Sequence, residues 1–320
     1  MFLKKRITMQ HMYIDECKGS NASFYLLVHI YGEEDEFNKL STEISAINTA
    51  HPELTGSNFN GIHAVKIKDD NISTKGKLVE LWLDVLEKFI REDRLHCFIT
   101  VQSKGLKKEC SEKVASCLKD LFDNPDALKM WPELSKVGEQ ERRDIASCVN
   151  QLYFLGSRSD KINASLLVVH PDQIGKILED IEGNKAETYE TANGIKVGFE
   201  ETIVKLLNTA LYAIRNKSHQ SSKISVVEFK PVADETSFPV QMCDIMGNYA
   251  YHSMLSKMRE HRSISDYKHG VLSARFNLGQ SLDDLSKNFC LNDKGELLCT
   301  NDSYVMCIDM KSYEVEETNQ

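Results

Sequence analysis

Two carboxylates lie in settings that suit metal chemistry. Met12-Tyr13-Ile14-Asp15-Glu16 places Asp15 at the tip of a short apolar strand, and Gln241-Met242-Cys243-Asp244-Ile245-Met246-Gly247 places Asp244 near the start of an apolar helix. Two-metal phosphoryl chemistry needs several carboxylates converging on cations about 3.5–4 Å apart. Mg2+ or Mn2+ would serve, because hard cations take oxygen ligands. A strand end fixes the first carboxylate, and later strand ends and helix starts supply the rest. Asp15 and Asp244 are therefore the expected anchor ligands. The bland alternatives are a turn cap for Asp15 and an ordinary solvent face for Asp244.

Further candidates come from the segments between. Asp172 follows the strand 164–169 through His170-Pro171 and is the expected third ligand. An acid in a first helical turn also favours the helix dipole, which is its structural alternative. Glu141 continues the core-facing stripe of a helix at 139–155 towards its start. Glu16 points to the opposite strand face from Asp15, which suits a supporting role. Asp234-Glu235 could line the site from the loop before Asp244, and His63 and His170 are candidates for proton transfer. On the helix of Asp244, residues Gln241, Asp244, Asn248 and Tyr251 or His252 share one polar stripe. It carries amides and one acid where a solvated helix carries Lys and Glu, so Gln241 and Asn248 are expected at the substrate. Lys104, or the modestly basic segment 257–275, would meet phosphates.

The elements that must position these groups follow from periodicity. Segments 11–16 and 22–31 read as two strands around a turn, 36–48 as a helix, 62–67 as a short strand and 96–101 as a buried strand. Leu78, Leu81, Trp82, Val85, Leu86 and Phe89 follow helical spacing, which predicts a helix over 74–93. A broken helical stretch is expected at 107–136, interrupted before Pro125 and Pro132. Helices at 139–155, 171–181, 199–216 and 239–257 alternate with strands at 164–169 and 224–229. A hairpin is expected from 296–299 and 304–308. Alternation of this kind means an α/β fold with helices on a mixed sheet. It fits a ribonuclease H-like core over 1–258, with insertions at 51–93 and 107–136 and a C-terminal appendage over 259–320.

Composition sets outer limits. Hydrophobic residues make up 41 % of 320, enough for a normal core. No apolar run approaches the ~20 residues needed to cross a bilayer, and the charged start has no following apolar stretch, so neither membrane span nor signal peptide is expected. The 9 cysteines are scattered without a Cys-x-x-Cys pair, which points to a reduced, cytoplasmic protein and away from a zinc site or disulfide framework. The net charge of −9 opposes nonspecific nucleic-acid binding, so a nucleic-acid partner would need a local basic groove. Nucleophile elbow, P-loop and dinucleotide fingerprints are all lacking.

The strand motif at Asp15, Ile62-His63-Ala64, Val101-Gln102-Ser103-Lys104 and the Gln241 to Asp244 helix start follow one another in this order. On these motifs the chain, over roughly 10–258, resembles a bacterial domain-of-unknown-function family typified by an opening Tyr-Ile-Asp-Glu-Ser-Gly and similar in fold to ribonuclease H. The resemblance implies a metal-dependent nuclease associated with phage defence or mobile elements, where a protein partner is also implied. It matches Asp15 and Asp244 as acids, with Glu16, His63, Lys104 and Gln241 as neighbours. The chain departs from the pattern in four places, one of them the mild exchange of Ala for Cys243 before the last Asp. Cys17-Lys18 stands where the family has Ser-Gly, Gly61 stands where it often has an acid, and His170 stands where an acid ends the strand. These departures motivate the alternative expectation, a catalytically weakened ribonuclease H-like binding or regulatory module.

Overall fold

A computed structural model describes residues 9–17, 23–56, 61–106, 123–130, 166–171, 224–230, 236–258 and 263–313, with single residues and dipeptides between them. Asp172, Glu141 and Asp234-Glu235 lie outside the described residues, as do the expected helices at 139–155 and 171–181 and most of those at 107–136 and 199–216.

The fold is α/β, with a mixed six-stranded sheet flanked by helices. Its strands are β1 (Met9–Cys17), β2 (Phe24–Gly32), β3 (Leu95–Ser103), β4 (Leu166–Pro171), β7 (Ser225–Phe229) and β10 (Val305–Met310), in the order β10-β3-β2-β1-β4-β7. Two small two-stranded pairs stand apart from it: β5 (Tyr189–Glu190) with β6 (Lys196–Val197), and β8 (Phe289–Leu291) with β9 (Leu297–Cys299). The chain divides into two compact units, one of Met12–Gly105 and Val232–Gln320, the other of Met1–His11 and Leu106–Pro231.

In the first unit, β2 and β3 pair antiparallel along their whole length, from Phe24 opposite Ser103 to Gly32 opposite Leu95. Side chains alternate across the sheet. Leu26, Val28 and Ile30 of β2, with Cys97, Ile99 and Val101 of β3, enter one large core. Three helices supply its other wall: α1 (Glu34–Ala50), α3 (Lys77–Arg91) and α5 (Phe238–Met258), with α2 (Pro52–Thr55) and α4 (Pro125–Met130) numbered between them. Apolar spacing explains α3, whose Leu78, Trp82, Leu86 and Phe89 are buried at i, i+4, i+8 and i+11. No single apolar stripe marks α5, which has Pro239 in its first turn and is buried on almost all sides. The polar stripe expected on α5 is therefore mostly interior: Gln241 is 2 % and Asn248 8 % exposed.

Three expectations need correction. The segment 62–67 is not a strand but holds one turn of 3-10 helix at Ala64–Lys66. It meets α5, and no strand takes up its backbone groups. The hairpin near the C-terminus joins β8 to β9, while β10 pairs antiparallel with β3, Val305 opposite Gln102 and Met310 opposite Cys97. Residues 259–320 thus form no separate appendage. They belong to the same compact unit as 12–105, where α6 (Ser263–Ser273) and α7 (Gly279–Ser286) also lie.

The second unit holds β4 and β7, paired in parallel from Leu166 opposite Ser225 to Val169 opposite Phe229. Asn208 braces β7 by bonding both the N–H and the C=O of Val226. His11 and His170 are stacked and share a 2.9 Å hydrogen bond, and the other ring nitrogen of His170 bonds the Lys230 carbonyl. Burial, then the neighbouring His11, pushes the His170 imidazolium down to about 4.

Candidate active site around Asp15 and Asp244

Alternation on β1 puts Tyr13, Asp15 and Cys17 on one face and Glu16 on the other. That first face meets α5. The Cys243 thiol donates to the Tyr13 carbonyl at 3.6 Å. One turn further, a Cβ added to Gly247 would lie 3.0 Å from Cys17 Cβ and 3.3 Å from Val28 Cγ2, so glycine lets the helix approach the sheet closely. Asp244 stands between these two contacts in sequence, as Asp15 stands between Tyr13 and Cys17. Both acids act on the same two thiols, those of Cys17 and Cys243. Burial first, then Asp244 and Asp15, push the Cys17 thiol up to about 12, while Lys268 opposes them. The Cys243 thiol is also raised, by burial first and with Asp15 and Asp244 among its lesser causes. In both thiols these causes favour the protonated form.

The segment 61–66 closes one side of the site. Gln241 Oε1 accepts the Ile62 N–H at 3.0 Å, and Asp244 Oδ2 accepts the Ala64 N–H at 2.8 Å. Gly61 has φ of 109°, and a Cβ there would meet the Gln241 amide at 2.6 Å. A side chain at this position would strain the backbone and displace the Gln241 amide. His63 is half-buried on the same segment, between the two clamped residues.

Lys268 of α6 completes the clamp. It is 1 % exposed, and its ammonium donates to the Ala64 carbonyl at 3.1 Å and to Asn248 Oδ1 at 2.7 Å. Asp244 and Lys268 thus hold the N–H and the C=O of one residue. Burial pushes the lysine down to about 8, against the pull of Asp244. Beside it, His252 bonds Ser265 Oγ at 2.9 Å and is pushed down to about 4 by burial, then by Lys268. The sequence alone suggests a basic surface for Lys268. The signal for burial lies in the spacing: Ser265, Lys268 and Leu272 fall at i, i+3 and i+7 on the buried stripe of α6.

The expected site residues therefore separate into groups. Asp15, Asp244, Gln241, Asn248 and His63 come together through β1, α5 and the 61–66 segment. Asp15 Oδ1 accepts the Glu16 N–H at 2.7 Å, while the Glu16 side chain leaves on the far face. Lys104 is exposed just past β3, its N–H on the Ser23 carbonyl at 2.7 Å, at the sheet end where β1 turns into β2. Among the described residues of the 257–275 segment, Lys257 pairs with Asp283, Arg275 pairs with Asp84 and Lys268 is buried, while Arg259 and Arg262 lie outside the described residues. Carboxylate oxygens are the donors a Mg2+ or Mn2+ ion takes, so the chemistry of Asp15 and Asp244 fits such an ion. Their number does not complete a set, and among the described residues no three His, Cys, Asp or Glu side chains form a group able to hold a metal. Also among the described residues, no helix is long and apolar enough to cross a membrane.

Comparison with known proteins adds no relative: no family model, curated protein or solved structure matches the chain.

Proposed function

We propose that the chain is a metal-dependent nuclease of ribonuclease H-like fold, hydrolysing phosphodiester bonds of DNA or RNA at Asp15 and Asp244. One observation carries the reading. An acid on β1 and an acid in the second turn of α5 both act on the Cys17 and Cys243 thiols, where α5 packs on β1 and β2. A sheet that begins with antiparallel strands and continues with a parallel pair is the arrangement a ribonuclease H-like core has. Membership of the family typified by Tyr-Ile-Asp-Glu-Ser-Gly belongs to the same proposal, and with it a role in phage defence or a mobile element.

Asp15 and Asp244 would hold a Mg2+ or Mn2+ ion. The ion would activate water and steady the leaving oxygen. Gln241 and Asp244 keep the 61–66 segment against α5, which fixes His63 at the rim as the group to move a proton. Lys104 supplies an exposed positive charge for the phosphate backbone. Cytoplasmic nucleic acid is the substrate, in a compartment where exposed thiols such as Cys290 stay reduced.

The alternative, a catalytically weakened module that binds without cutting, is favoured by the engagement of Asp244 with Ala64 and the buried cation at its side. A cleavage assay decides. Single- and double-stranded DNA and RNA are incubated with Mn2+, Mg2+ or chelator, using wild type, Asp15→Asn and Asp244→Asn. Metal-dependent cutting lost in both variants supports the nuclease. A folded wild type that cuts none of the substrates overturns it in favour of the binding module.

A further inference from the structure

β7 stands at one end of the strand order, with β4 as its neighbour. A terminal strand presents backbone N–H and C=O groups on which another chain can add a strand. The run Ile224-Ser225-Val226-Val227-Glu228-Phe229 is mostly β-branched or aromatic, with one charge and no proline. Segments of this composition pair readily with copies of themselves when their edge is open.

Two features close this edge at the same point. The first is Asn208, which holds both backbone groups of Val226. Its Oδ1 accepts the Val226 N–H at 2.8 Å and its Nδ2 donates to the Val226 carbonyl at 2.6 Å. Held in this way, the two groups are not part of the ladder to β4. Two opposite residues of an antiparallel pair exchange these same two bonds. A primary amide carries the matching acceptor and donor, so Asn208 stands where one residue of an added strand would stand. The second feature is a slip in the pairing with β4. Leu167 faces Val226 but Val168 faces Glu228, which leaves Val227 as the extra residue of a bulge, 39 % exposed. Bulges are a recurrent means of spoiling an edge for a neighbouring strand. Bracing of β7 alone would call for the amide but not for the bulge beside it. What the two share is control of access to the edge.

We propose that Asn208 occupies the edge of β7 in place of a strand from a second copy of this chain, and so keeps the copies apart. The second copy is the occupant that the geometry fits. Two β7 strands set antiparallel about a two-fold axis beside Val226 give each Val226 both of its bonds from the other, the self-complementary contact of a closed dimer. The inference concerns β4, β7 and Asn208 and is independent of the nuclease reading.

Size-exclusion chromatography with light scattering tests it on the full chain, with circular dichroism to confirm folding. Asn208→Ala removes both bonds without altering the strand, and its molar mass should rise with protein concentration towards double that of wild type. Asn208→Ala combined with Val227→Lys puts a charge on the opened edge and should return to the wild-type mass. A folded Asn208→Ala that keeps the wild-type mass and loses only stability has lost a brace, and this overturns the inference. Association that Val227→Lys leaves in place runs through another surface and overturns it as well. Hydrogen exchange of wild type needs no variant and decides if Asn208→Ala fails to fold. A protected Val226 amide upholds the closed edge, and exchange at the rate of an open amide overturns it.

Discussion

His29 gives the protein an acid sensitivity whose size can be worked out. The residue is 0 % exposed in the middle of β2, and neither ring nitrogen has a hydrogen-bond partner. Burial pushes its pKa from 6.5 down to about 3. Between those two values the unfolded chain binds a proton that the folded chain refuses. Stability is therefore complete above the ordinary histidine range and is lost as pH falls from there towards the folded value. From pH 7 to pH 5 this single residue should cost ~2 kcal/mol, since each unit of differential pKa corresponds to ~1.4 kcal/mol. His29→Leu keeps a side chain of similar bulk beside Leu27 and Phe98. It removes both the unpaired ring nitrogens and the proton linkage. The variant should be ~1–3 kcal/mol more stable at pH 7, the usual penalty of an unsatisfied buried polar group. Urea unfolding at pH 7 and pH 5, followed by circular dichroism, reads both effects. Equal losses of stability on acidification in wild type and variant would refute the reasoning. A residual slope is expected in the variant, because His252 and His170 are both pushed down to about 4 and act with the same sign.

Other expectations concern the site. Asp244→Asn keeps an oxygen for the Ala64 N–H and should abolish cleavage while leaving the urea midpoint nearly unchanged. Asp244→Ala should lose cleavage and also ~1–3 kcal/mol, because the amide it served is left without its acceptor. Gly61→Ala adds a methyl where φ is 109° and the Gln241 amide is 2.6 Å away, so a loss of ~1–3 kcal/mol in thermal or urea unfolding is expected. A maleimide at neutral pH should label exposed Cys290 in the folded protein faster than Cys17, whose thiol is half-buried and pushed up to about 12. Fast labelling at Cys17 would contradict its placement against Gly247.

The parts of the fold that were legible in the sequence are those whose pattern is local. The apolar run of β2, the alternation of β3 and the i, i+4 spacing of α3 each depend on neighbours a few residues away. The positions of Asp15 near the end of β1 and of Asp244 in the second turn of α5 follow from the same local patterns. Two kinds of feature were not. The 61–66 segment looks like a strand by composition, but its backbone partners are the side chains of Gln241 and Asp244, some 180 residues on. β10 has an apolar pattern that suits pairing with β9 or β3 equally, and only tertiary structure selects β3. Lys268 is easily misread because charge suggests exposure, while its position on the stripe with Ser265 and Leu272 indicates burial. Burial of an ammonium needs acceptors brought in from elsewhere, and those on Ala64 and Asn248 could not be foreseen from α6 alone.

The pairing of β10 with β3 has a consequence for how the chain is made. Cys97, Phe98, Ile99, Thr100 and Val101 form an apolar strand whose outer edge stays open until residues 305–310 arrive. About 200 residues separate the two, so on a ribosome that edge waits roughly 10–40 s at ordinary elongation rates. During that interval the nascent chain displays unpaired backbone groups on one of its most apolar segments, the type of surface on which neighbouring chains add strands. Early termination before residue 305 would make the exposure permanent, so truncated products should collect in insoluble material while the full-length chain stays in solution.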